Sequence, residues 1–456
     1  MEKMHDVKQY PMALALPVFM ASMNSSIVNV AVPSLMEAFD TPFSNIQWVI
    51  VVYLISLTSA AVVTGQIGDR IDRRKVLCTA VFLFTLASAL CGLAPTVLWL
   101  VAGRVLQGIA AAMMMNSTMA LIAAMRTGQS GGKTMGWIGA LSAMGTAAGP
   151  ACGGWLTGQW GWSAVFFINI PAGIAALFFI IRFVKPQPVS SGQRLPVNRT
   201  GILLLTLIIA MYSSGMIIND GMWRLLLLAA ACGGVLLFRQ TERRTTNPVF
   251  PVALIKQPAL ITGMTLSVLV STVMMALLVA GPFWLMHQLH LSPLQAGLMM
   301  SCGPLVAACT GVPAGKLTDK IGADKVVVYA LIMMTVGFSL FTLLGIVPRG
   351  ALYLIFIAII TSGYAAFQAA NNSSILFRID SQEKGLLAGL INLSRNTGLI
   401  NGATLMGTLF SVSAGSISPG NVVEENIGRG FILTFGVATC LMLISTGIAL
   451  RYLRRR

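Results

Sequence analysis

The residues with chemistry to offer are few, and most of them sit in two short charged stretches. Residues 65–75 read Gly65-Gln-Ile-Gly-Asp69-Arg70-Ile-Asp72-Arg73-Arg74-Lys75, and residues 315–325 nearly repeat them as Gly315-Lys-Leu-Thr-Asp319-Lys320-Ile-Gly322-Ala-Asp324-Lys325. An acid flanked by bases can make charge-assisted bonds to a neighbouring helix in one conformation and release them in another. That is the chemistry of a latch rather than of a reaction. Two further cations, Arg104 and Arg395, lie inside apolar runs. A guanidinium in hydrocarbon costs about 2.5–3.5 kcal/mol on insertion scales, so each needs a partner or a cavity and is a functional candidate. Nothing else suggests catalysis. The chain has three His, unpaired acids and seven Cys without a CxxC pair, so neither an enzyme nor a metal or cofactor site is expected.

The elements that position these residues must be membrane helices. Hydrophobic residues make up 56% of the 456 residues and charged ones 10%, and apolar runs of spanning length recur from end to end. Fourteen spans are predicted, at 11–35, 45–66, 76–94, 97–122, 134–156, 163–184, 200–218, 223–239, 259–286, 294–314, 325–346, 350–372, 386–411 and 430–450. The first is read as a retained helix, since no small-residue cleavage site follows it. All 30 Lys and Arg except five fall on the side of the termini; Arg224, Arg349 and Arg429 lie opposite, and Arg104 and Arg395 lie within spans. The positive-inside rule therefore predicts cytoplasmic termini. It also accounts for the net charge of +16 without a nucleic-acid partner, because the basic residues are scattered over loops and form no single basic face. The cysteines read as reduced packing residues.

Each charged stretch follows the second span of a set of six. The pattern resembles the loop signature of the major facilitator superfamily of secondary transporters, whose two six-helix halves carry one copy each. Six spans occupy fewer residues than the 250 that separate the copies, and an inserted hairpin with the segment from Glu242 to Pro251 resembles the fourteen-helix drug:proton antiporter branch. The resemblance implies an all-α membrane protein with the major facilitator fold, two six-helix bundles plus an inserted two-helix hairpin: residues 1–190, then 191–256 for the hairpin and its linkers, then 257–456. It assigns the latch to Gly65, Asp69, Arg70 and Arg73, with Gly315, Asp319 and Lys320 from the second copy. Asp72 stands where the family has a glycine, a position that Gly322 keeps. Arg104-Val-Leu-Gln107-Gly108 resembles the family's intramembrane arginine motif, which implies sensing or relay of a coupling proton, with Arg395 in a similar role. Gly145, Gly149, Pro150, Gly153 and Gly154 match its antiporter signature and imply a helix pivot, small residues permitting close approach and the proline a kink. Trp160 to Gly173 and Gly363 to Asn372 also fit the branch.

One departure bears on energy coupling. The first span ends Met23-Asn24-Ser25-Ser26, where the family usually has an aspartate in place of Asn24. Asparagine does not titrate, and a buried carboxylate is the usual means of coupling protons to access. Three routes stay open: coupling through Asp69 at the membrane edge, a contribution from His287 or His290, or an uncoupled facilitator. The expected substrate cavity is neutral or positive, with Asn24, Gln107, Asn116, Tyr364, Gln368 and Asn371 as candidate hydrogen-bonding groups and Met113 to Met115 with Phe367 as an adaptable wall. Neutral or anionic amphiphiles then fit better than dications. The expectation is a monomeric multi-pass protein of the cell inner membrane, exporting small amphiphilic compounds and powered by the proton gradient. A specific metabolite exporter, and less favoured a non-transporting sensor, are the alternatives.

Overall fold

A computed structural model describes residues 2–67, 72–124, 131–184, 198–218, 220–245, 257–376, 384–415 and 424–454. These residues are nearly all helical, as a chain in lipid must be if its backbone groups are to be satisfied within each segment. In chain order the helices are α1 (Glu2–Ala38), α2 (Phe43–Ile67), α3 (Arg73–Gly92), α4 (Val97–Ala124), α5 (Gly131–Trp160), α6 (Ala164–Phe167), α7 (Asn169–Phe183), α8 (Arg199–Ile217), α9 (Gly221–Arg244), α10 (Pro258–His287), α11 (Pro293–Ile321), α12 (Ala323–Thr342), α13 (Gly350–Leu376), α14 (Lys384–Asn401), α15 (Gly407–Ser413) and α16 (Glu424–Arg454). Twelve segments among the described residues are long and apolar enough to cross a membrane. The other two predicted spans, 134–156 and 386–411, coincide with α5 and with the continuous rod α14–α15. The fourteen-helix reading of the sequence is thus the architecture.

Two predicted spans carry breaks that apolar periodicity does not reveal. The sixth divides at Ile168 into α6 and α7, because Pro171 has no N–H to give the carbonyl of Phe167. The thirteenth contains a π-helical turn, Gly402–Met406, between α14 and α15. Helix starts follow local chemistry. Asp220 caps α9 through Met222 N at 2.9 Å, and Ser292 with Gln295 forms a capping box ahead of Pro293 on α11.

α1 to α5 and α7 pack as one group, through α1–α5, α2–α4, α3–α4 and α3–α7, and α10 to α16 as a second, through α12–α13, α11–α13, α10–α14 and α12–α16. α8 pairs with α9 and touches both α2 and the π-turn. The groups meet through α5 against α11, α1 against α10 and α2 against α14 and α15. The closest approach lies at Gly154 and Gly297, where a Cβ on Gly154 would stand 2.1 Å from Pro293 O and one on Gly297 would stand 2.1 Å from Pro150 O. Only glycine admits two backbones at that separation.

Candidate functional site

Arg104 is the centre of a polar network inside the first helix group. It is 1% exposed. Its Nε donates to Val49 O of α2 at 2.9 Å and its Nη1 to Gln107 Oε1 at 2.6 Å. Gln107 Nε2 in turn donates to Ser88 Oγ of α3 at 2.8 Å, and Ser88 Oγ donates to Phe84 O at 2.8 Å. The guanidinium lies over the Tyr53 ring, 3.9 Å from its centroid, a cation–π contact strengthened by the dry surroundings. All these partners are neutral. The charge is therefore held by oriented dipoles and a ring face rather than by a counter-ion, and Asn24, fully buried beside the Tyr53 hydroxyl, occupies the place where the resemblance would put an acid. Asn169 Nδ2 of α7 reaches Asn24 Oδ1 at 3.5 Å.

The candidate cavity residues do not converge on one space. Asn24 and Gln107 are both fully buried, packed within the first group and closed to any cavity between the halves in this conformation. Asn116 Nδ2 bridges to α2 through Ala61 O and Thr64 Oγ1, both at 2.7 Å. Gln368 Nε2 donates to Tyr364 Oη at 2.8 Å, one turn away on α13, and both are half-buried. Asn371 donates to Gly263 O at 3.2 Å and lines a shallow cleft of the second group, with Thr262, Asp324, Ser374 and Tyr452. Arg395 is exposed on α14, next to exposed Asn392 on the same face.

The glycine and proline pivot residues take two different neighbours. Gly145, Gly149 and Gly153 face the α1 backbone at Phe19, Met23 and Ile27, while Gly154 faces α11 of the other group. Of the latch residues, Asp69 and Arg70 lie outside the described residues. Gly65 lies in the last turn of α2, Arg73 begins α3, and Asp319 and Lys320 are exposed in the last turn of α11, one turn beyond Gly315. The two copies enter the following helix differently. Asp72 has φ −52° and caps α3 by accepting from Arg74 N at 3.0 Å, whereas Gly322 enters α12 with φ +92°. The missing glycine of the first copy is thus replaced by a helix cap, not by a strained residue. Arg74 Nη2 also donates to Ile181 O at 2.7 Å, tying α3 to the end of α7.

Sequence reading missed Tyr53, Ser88 and the Val49 carbonyl, which no motif marks. It also missed Glu242, a buried carboxylate whose Oε1 accepts from Asn198 Nδ2 at 2.7 Å and so joins the end of α9 to the cap of α8. Its position three residues past the predicted span, among arginines, read as a solvated loop.

The profile of the Major Facilitator Superfamily matches residues 14–403 and again residues 263–456. The chain belongs to the major facilitator superfamily. This transporter is 29% identical over 404 residues to the riboflavin transporter RibZ of Clostridioides difficile, covering 88% of this chain and 87% of that one. It is 26% identical to the multidrug transporter protein MdtP of Bacillus subtilis, over 89% of this chain and 75% of MdtP. Its fold superposes on a bacterial homologue of the human lysosomal transporter Spinster with a TM-score of 0.71, at 13% identity and covering 96% and 95% of the two chains. The xylose transporter XylE of E. coli gives 0.67, at 14% identity and covering 98% and 97%. This major facilitator is therefore a multi-pass membrane transporter.

Proposed function

We propose that this transporter is a monomeric secondary exporter of small amphiphilic compounds, working by alternating access in the cell inner membrane with both termini cytoplasmic and drawing on the proton gradient. The observation that carries the reading is the glycine-proline segment of α5, which packs on α1 within its own half through Gly145, Gly149 and Gly153 and on α11 of the other half through Gly154. One helix seated on both halves along its proline-bearing segment suits a pivot about which the halves rock. Relatives that carry multidrug names support efflux.

Substrate chemistry follows from charge. Glu242, the buried carboxylate among the described residues, belongs to the inserted hairpin, whereas Arg395 is an exposed cation eleven residues into α14. At that depth lipid contact would be costly, so the Arg395 face suits a water-filled passage that receives neutral or anionic amphiphiles. The latch, with Asp69, Arg70, Arg73, Asp319 and Lys320, gates the cytoplasmic side, and Arg104 relays the conformational response to protonation. The second reading, a specific metabolite transporter, is favoured by the likeness to a riboflavin transporter.

Everted vesicles carrying the protein, supplied externally in turn with a cationic dye, an anionic dye and riboflavin, with and without a pH gradient, separate these readings. Gradient-dependent accumulation of the anionic dye is expected. Accumulation of riboflavin alone would establish the specific transporter, and no accumulation of any probe would sink the exporter.

A further inference from the structure

A π-helical turn and a proline-bearing turn of α5 each meet the opposite half at the end of the bundle away from the termini. In the π-turn Gly402–Met406 the hydrogen-bond ladder slips by one residue, which sets a carbonyl aside. Gln47 of α2, 1% exposed, donates its Nε2 to Ala403 O and to Thr404 O, the latter at 3.2 Å. Gly407 makes room, since a Cβ there would stand 2.5 Å from Gln47 Nε2. In α5, Pro150 brings no N–H and its ring disturbs the turn. The next N–H, that of Ala151, donates to Ser301 Oγ of α11 at 2.9 Å, while the Ser301 hydroxyl donates to Gly297 O at 2.9 Å and so turns a lone pair toward α5.

We propose that Gln47 and Ser301 are the two clasps of the outer gate, each holding the opposite half by a backbone group, one in a π-helical turn and the other just past a proline within a helix. The proposal rests on the alternating-access reading above. Irregular backbone at membrane depth is tolerated only where it is buried in protein or lines a water-filled space. A group that alternates between the two satisfies that condition in both states: a side chain from the other half serves it when the end is shut, and cavity water serves it when the end is open. Breaking such a bond exchanges one partner for another and leaves no orphan, so the gate is held yet opens at small cost. The neighbouring apolar seal has no such exchange. Phe43 of α2 meets Phe283 of α10 edge-on at 5.5 Å, and Phe283 meets Phe410 at 5.7 Å. Burial holds that seal without direction; the clasps set its register. The π-turn is itself steadied from behind, by Tyr212 of α8 on Asn401 and by Asn401 Nδ2 on Thr272 Oγ1 at 3.2 Å.

Spin labels at Asp40 and Arg349, exposed at that end of the two halves, report the gate by pulsed dipolar spectroscopy in lipid nanodiscs after the seven cysteines are replaced. Losing one net hydrogen bond shifts a two-state ratio about fivefold, so Gln47→Met and Ser301→Ala should each raise the long-distance fraction by about that factor, and the double variant by more. Gln47→Leu likewise fills the space without a donor and should act like Gln47→Met; a mere packing role predicts wild-type distances for both. Ser301→Ala, the smaller change, keeps the test usable if the Gln47 variants fold poorly. Wild-type distances in Gln47→Met and in Ser301→Ala overturn the clasp whether or not the chain transports. Dye efflux in parallel vesicles reports separately on the exporter reading.

Discussion

At the residue scale the structure turns on one cation and its neutral cage. Arg104 uses three features together: Nε on the Val49 carbonyl, Nη1 on Gln107 and the guanidinium plane on Tyr53. Lysine reproduces none of that geometry, being a point charge on a flexible stem. Arg104→Lys and Arg104→Gln are expected to insert normally and to lose transport by more than about tenfold, roughly 1.4 kcal/mol of barrier; efflux per inserted molecule is the measurement, and near-normal rates in Arg104→Lys would reduce the role to bare charge. Asn24 gives the second expectation. It is buried beside Tyr53 and closed to the substrate path in this conformation. Asn24→Asp should therefore leave the preference between cationic and neutral dyes unchanged while giving efflux a new pH dependence. The sign follows from charge: the ionised carboxylate at higher pH attracts the Arg104 guanidinium, and the proton that neutralises it at lower pH removes that attraction. Efflux of both dyes across an external pH series tests this, and a flat profile in the variant counts against it. Arg104 was legible in the sequence because a cation in an apolar run is an anomaly on its face. Tyr53 was not, since an aromatic in a span looks the same whether it meets lipid, a neighbour or a guanidinium.

At the element scale, close helix contact and hairpin closure carry the argument. Gly297→Val would place a Cβ 2.1 Å from Pro150 O, and neither backbone can yield locally. A cost of about 1–3 kcal/mol to the closed outer end is expected, read as a lowered melting temperature in detergent and a wider gate; an unchanged melting curve would show that α5 and α11 separate freely. The inserted hairpin depends on a different bond. Glu242→Leu leaves Asn198 Nδ2 without its buried acceptor at 2.7 Å and should cost about 1–3 kcal/mol, while Glu242→Gln keeps an acceptor and should cost less than about 1 kcal/mol. Comparison of the two melting curves checks it, and equal losses would point to the charge instead of the bond. The helices themselves were readable from apolar length. Their breaks at Ile168 and Gly402–Met406 were harder: a proline flags the first, while the second has no local sequence cause beyond its flanking glycines.

At the scale of the whole molecule, the two charged loops and the distribution of Lys and Arg predict cytoplasmic termini. A fluorescent protein fused after Arg456 should then fluoresce and a periplasm-active phosphatase fused there should stay inactive; the reverse pattern would invert every sided assignment, including which gate is the outer one. The repeat of the charged loop gave two halves and the surplus length between the copies gave a hairpin, because hydropathy and duplication are properties of the chain in order. What the halves do to each other depended on contacts distant in sequence. Gln47 meets Ala403 and Thr404, and Ser301 meets Ala151, across separations that no local pattern encodes. The sequence by itself determined the membrane helices, their number and the family, since lipid leaves a backbone no other regular solution. Only the tertiary structure decided which polar side chains are buried within a half and which join the two, because that depends on how helix faces meet.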